Sequence, residues 1–204
     1  MSNARLRGSM KLPYGVLLNE TTVSDDANVQ FGSSLITDDY DLYDVYVKDL
    51  IPATDNTQLK LQLGVGGSID NGNNYSITYK MVGTNASDAF EATSANAAAT
   101  NRFNLTVAST QSMGTGTGES WTGRYRLYNL RSTTFFKGFQ GLDSGGVTSS
   151  EYFSITRAAQ AVGKYNNNRT NKVDTIKVFS SSGNLASGTI SLYGIKTWQN
   201  YTNK

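Results

Sequence analysis

QLKLQLGVGGSIDNGNNYSITYKM, Gln58 to Met81, alternates apolar and polar residues twice, with a turn-rich stretch between the two runs. Leu59, Leu61, Leu63 and Val65 fall on one side of an extended chain, and Lys60, Gln62 and Gly64 on the other. That period of two makes this the cleanest strand in the sequence. GGSIDNGNN is dense in the residues that accept tight turns, so it reverses the chain. Tyr75, Ile77, Tyr79 and Met81 then alternate with Ser76, Thr78 and Lys80. The pair reads as a hairpin with its apolar faces on one side.

The pattern extends both ways. Upstream, Tyr43, Val45 and Val47 share one face, while Leu42, Asp44, Tyr46 and Lys48 share the other. Pro52 cannot donate to a central ladder and ends this strand. Downstream, strands are expected at Phe103 to Val107, Trp121 to Leu130, Thr133 to Phe139, Tyr152 to Thr156, Val173 to Phe179 and Thr189 to Ile195. The Ala-rich stretch from Asn85 to Thr100 shows no sustained helical stripe and reads as a long loop. The total is eight or nine strands, which predicts an all-β, antiparallel β-sandwich, jelly-roll-like, with an immunoglobulin-like sandwich as the competitor. No internal repeat points to a propeller or solenoid.

Residues 1–37 carry little alternation and read as an extended N-terminal arm, with the sandwich domain at residues 38–204. The arm holds Leu12, Val16, Leu17, Leu18, Val23, Phe31, Leu35 and Ile36, too much apolar surface to leave in water at ~25 cal/mol per Å². It must pack on its own sandwich or on a neighbour. Arg5, Arg7, Lys11, Leu12, Leu17 and Leu18 are its candidate interface.

Composition bounds the function. A chain of 204 residues with 38% hydrophobic and 17% charged residues suits one domain with one core. It has no cysteine, hence neither disulfides nor thiolate metal ligands. Its 18 basic and 16 acidic side chains leave +2, too balanced for the broad positive field that nucleic acid selects. The first residues lack the apolar run of a secretory signal, and no stretch reaches the length of a membrane span, so synthesis in the cytoplasm is expected.

Histidine is absent too, which removes nucleophile–histidine triads, most zinc sites and most neutral-pH acid–base pairs. A carboxylate pair of the glycosidase kind needs no histidine. Asp38, Asp39, Asp41 and Asp44 are the acids available, but Asp41 and Asp44 point to opposite strand faces and no pair stands out. GTGTG, Gly114 to Gly118, lacks the Lys-Ser/Thr of a phosphate loop and reads as a hairpin tip. Asp70, Gly72 and Asn74 lack the distal glutamate of a calcium loop and read as a turn. Neither catalysis nor a cofactor is expected. Trp121, Tyr125, Tyr128 and Trp198 form a candidate aromatic contact surface, because such rings stack on sugars and anchor protein interfaces.

Two stretches carry a family likeness. YDVYVKDLIPATDNTQLKLQL, Tyr43 to Leu63, and FSSSGNLASGTISLYGIK, Phe179 to Lys196, resemble a module of tailed-bacteriophage structural proteins. In that module a strand leads into a P-A-T-D turn, and an SGN-x-x-SGT-x-x-LYG hairpin closes the fold. The resemblance implies a jelly-roll subunit on the particle exterior, made in the host cytoplasm and assembled as a homotrimer. It implies either a capsid decoration (cement) protein on the major capsid protein or a tail-fibre module recognising host glycans, and it supplies no catalytic residues. Without heptads or repeats to build a fibre shaft, decoration is the favoured expectation.

Overall fold

The computed structural model describes residues 15–84, 90–106, 113–116, 118–145, 161–165 and 170–196. Among these residues there are thirteen strands and no helix. The larger sheet runs β1 (Val16–Asp26), β13 (Leu185–Ile195), β3 (Leu42–Pro52), β9 (Trp121–Tyr128), β10 (Lys137–Gly145), β11 (Ala161–Tyr165), β6 (Tyr75–Thr84) and β7 (Phe90–Thr100). The smaller runs β2 (Val29–Phe31), β12 (Thr175–Ser180), β4 (Leu59–Val65) and β5 (Ser68–Ile69), with β8 (Phe103–Asn104) on the same edge of β4 as β5. All pairings are antiparallel.

The order shows how the chain winds. β1 lies beside β13 and β2 beside β12; β3 then flanks β13 on its other side, and β4 does the same to β12. Next, β9 joins β3 and β8 joins β4. The strands β1-β13-β3-β9 and β2-β12-β4-β8 are therefore wrapped in jelly-roll order. The pair β6–β7, inserted between β4 and β8, and the pair β10–β11, inserted between β9 and β12, widen the first sheet to eight strands. Eight of the expected strands are present, as β3, β4, β6, β8, β9, β10, β12 and β13, and the excess over the expected eight or nine is β1, β2, β5, β7 and β11.

The core follows from the alternation. Leu59, Leu61 and Leu63 face Tyr43, Val45, Val47, Ile190 and Leu192 across the sandwich, all buried. An aromatic chain crosses between the sheets: Tyr125 to Phe139 at 6.0 Å, Phe139 to Phe103 at 4.7 Å, Phe103 to Tyr75 at 5.0 Å, and Tyr75 to Tyr165 at 5.0 Å. Each such contact adds about 0.5–1.5 kcal/mol to the burial of its rings. Buried hydroxyls keep partners: Tyr75 donates to the Leu63 and Asp70 carbonyls, and Tyr165 donates to Asp70 Oδ2 at 2.6 Å.

Four expectations are corrected. The runs at Leu59–Val65 and Tyr75–Met81 do not pair as a hairpin: β4 lies in the smaller sheet beside β12, and β6 in the larger sheet between β11 and β7, so the turn-rich stretch carries the chain from one sheet to the other. The segment from Val16 to Ile36 is part of the sandwich, because β1 and β2 complete the edges of β13 and β12. Val23, Val29, Phe31 and Ile36 are buried there, and the Tyr43 hydroxyl donates to Thr37 O at 2.6 Å, fixing the end of that segment. Part of the expected loop at 85–100 is β7, paired along β6. The strand expected from Thr133 begins instead at Lys137, because Ser132 Oγ accepts from the Thr134 and Phe135 amides and folds the chain into a turn. The strand expected at Tyr152 to Thr156 lies outside the described residues.

Candidate interaction surface

The outward face of the larger sheet is built by register. One row of neighbours runs Leu17, Tyr193, Asp44, Arg126 and Gln140 across β1, β13, β3, β9 and β10. The next runs Glu20, Ser191, Tyr46, Arg124 and Leu142. A third places Ile195, Leu42 and Tyr128 side by side. The alternation that buries Val45 and Tyr125 turns all of these residues outward.

An ion pair lies at the middle of this face. Arg126 Nε and Nη2 donate to the two Asp44 oxygens, each at 2.7 Å. Asp44 is only 2% exposed and Arg126 29%, although both point away from the core. The hydrogen-bonded carboxylate holds the guanidinium proton more tightly than usual, so Arg126 stays charged. Tyr46 and Tyr193 meet edge to face at 5.1 Å, and Tyr128 donates to Gln140 Oε1 at 2.8 Å. Ser191 Oγ donates to Glu20 Oε2 at 3.0 Å. Leu17 and Leu142 are exposed large apolar side chains on the same face.

Of the aromatic residues singled out from sequence, Tyr128 stands on this face. Trp121 and Tyr125 do not: they share strand parity with Leu127, point inward and are 1% and 0% exposed. Trp121 Nε1 donates to the Tyr125 hydroxyl at 2.8 Å, which in turn donates to Asp143 Oδ2 at 3.2 Å. Their polar atoms are consumed inside the sandwich. Leu17 is 48% exposed and Leu18, beside the β1 bulge, packs against the core. Arg5, Arg7, Lys11, Leu12 and Trp198 lie outside the described residues.

The acids considered for catalysis have structural partners. Asp38 binds Lys172 at 2.8 Å and Arg131 at 3.1 Å, which holds its carboxyl below the usual range. Among the described residues no three acids converge as metal ligands. Asp70 Oδ1 accepts from the Gly72 amide and Oδ2 from Asn74, so the IDNGNN stretch is a self-closed turn. Gly116 N donates to Glu119 Oε2, closing the glycine-rich segment in the same way.

At one end of the sandwich two distant turns join. Ala53 N donates to Asn184 O, Ser181 N to Gln58 O and Gln58 N to Ser181 Oγ, all within 2.9 Å. Gly183 and Gly188 hold φ of +67° and +122° in this hairpin. Phe135 and Phe136, expected within a strand, are exposed at the β9–β10 turn. Compared with protein-family models, curated proteins and solved structures, the chain matches none.

Proposed function

We propose that this chain is a non-enzymatic structural subunit of a tailed-bacteriophage particle, a decoration protein that binds the major capsid protein and stabilises the shell. One observation carries the reading. The two stretches behind the resemblance, Tyr43 to Leu63 and Phe179 to Lys196, are far apart in the chain yet adjacent in the fold. β3 and β13 pair along their length, and the P-A-T-D turn hydrogen-bonds with the S-G-N hairpin. A likeness confined to two segments that form one unit is what a shared module leaves behind.

The rest of the molecule is compatible in chemistry. A jelly roll with a broad outward sheet face, a half-sunken ion pair and half-buried tyrosines has the make-up of a protein-binding surface, where Tyr and Arg dominate. Glycan recognition loses two of its four aromatic residues, Trp121 and Tyr125, to the core. The test is co-sedimentation of the purified chain with capsids of a phage that encodes it, prepared from a mutant lacking the gene. Saturable binding that raises the temperature of capsid disruption supports the proposal, and no binding overturns it.

A further inference from the structure

We propose that two copies of this chain pair face to face through the outward surface of the larger sheet, about a two-fold axis running along the strands between β13 and β3. It needs no virion, and it commits this face to a second copy, so in the virion reading the capsid is met by the remaining surfaces of the pair. It differs from the three-fold assembly that the phage resemblance implies.

The charge layout carries it. In the row Glu20, Ser191, Tyr46, Arg124, the acid stands on β1 and the base on β9, three strands away. At ~4.8 Å per strand they are about 14 Å apart, too far to pair within one subunit. Arg124 has no ion-pair partner among the described residues, while Glu20 is exposed and its bond to Ser191 uses one oxygen. The proposed axis lies midway between them, so rotation sets Glu20 of each copy opposite Arg124 of the other. Facing sheets sit ~10 Å apart, a gap that a glutamate and an arginine span together. The ~30° rotation usual between packed sheets moves residues this near the axis by only a few ångströms.

The centre of the face suits the same partner. Tyr46 and Tyr193 flank the axis and meet across β3 and β13, and Ile195 comes to lie against Leu42 of the second copy. Asp44 and Arg126 neutralise each other at the centre, and Lys48, the remaining charge on the outward side of β3, is exposed towards the end of the strand. The axis sets β1, β13, β3 and β9 of the two copies against one another. Four strands of about 4.8 Å over the outward span of β3 give roughly 440 Å² in projection, to which side-chain relief adds, against the ~800 Å² per partner of a standard interface.

Sedimentation equilibrium of the full chain, up to about 100 µM, tests this. The expected species has twice the 22.1 kDa chain mass. Arg124→Glu and Glu20→Arg each place like charges opposite one another twice, and each is expected to weaken association by at least about 100-fold. The double variant E20R/R124E restores it. Circular dichroism checks that each variant is folded, and Arg124→Gln serves as the milder substitution if R124E is not. A monomeric or trimeric wild type, single variants that associate normally, or a double variant that stays dissociated would each overturn the proposal.

Discussion

Arg126 clasps Asp44 with two parallel hydrogen bonds of 2.7 Å between strands that the sequence separates by 82 residues. The carboxylate is nearly sealed from water, and the guanidinium keeps an edge in it. Removing the arginine strands a buried charge; removing both groups strands nothing. Arg126→Ala is expected to cost about 2–4 kcal/mol, less than a fully buried pair because water can reach the site. An Asp44→Leu, Arg126→Met double variant is expected to recover most of that loss, with a coupling energy of about 1–3 kcal/mol by urea denaturation.

The Trp121–Tyr125–Asp143 chain makes Trp121 an internal group. In a Trp198→Phe variant, Trp121 is the sole tryptophan, and its emission is expected to be blue-shifted and resistant to acrylamide quenching. Tyr125→Phe leaves the indole N–H without its acceptor and is expected to cost about 1–3 kcal/mol. Red, readily quenched emission would show Trp121 at the surface.

Gly188 sits opposite the β3 irregularity with φ +122°, and a Cβ there would lie 2.7 Å from Leu50 Cα and 2.9 Å from Asp49 O. Gly67 also has positive φ, +77°, but open space around it. Gly67→Ala is expected to cost about 1 kcal/mol from backbone strain alone. Gly188→Ala adds a collision with main chain and is expected to cost about 3 kcal/mol or more. Equal melting shifts for the two would contradict this placement.

Truncation separates the two parts of the presumed arm. A chain beginning at Gly15 keeps every described strand and is expected to unfold cooperatively. One beginning at Asp38 loses β1 and β2, uncovers β13 and β12, and removes Val23, Val29, Phe31 and Ile36 from the core. It is expected to be insoluble or molten, as read by near-ultraviolet circular dichroism.

Lys60 is buried on β4, and desolvation, with a smaller push from Arg102, lowers its amine from 10.5 to about 8. The unfolded chain then binds this proton more tightly than the folded one. Lys60 therefore opposes folding below about pH 8, and the penalty fades as pH rises towards 10.5. Relative to Lys60→Met, the wild type is expected to gain up to about 1.4 kcal/mol per pH unit within that window. A pH-independent difference between the two would contradict the burial of the charge.

The strands legible in the sequence are those whose two faces differ. β3, β4 and β6 each alternate, and β3 and β4 lie where their period placed them. In β1 only Val23 is buried, so almost nothing in its side chains announces a strand; long-range pairing with β13 makes it one. The small residues of β7 give no contrast between faces either. At Phe135 the opposite happened: an apolar run suggested a strand, and a serine hydroxyl made a turn. The buried aromatics could have been found by parity, since Trp121 and Tyr125 fall in step with Leu127. The Asp44–Arg126 pair could not, because it depends on β3 lying beside β9 and no local pattern fixes that neighbour.

Whole-particle electron cryomicroscopy of a phage encoding this chain tests the central claim most directly. The expected map shows a jelly roll on the outer shell at regular lattice positions, touching the major capsid protein and missing from particles made without the gene. Density for it on the tail alone, or mature particles that lack the chain altogether, would contradict a capsid decoration protein.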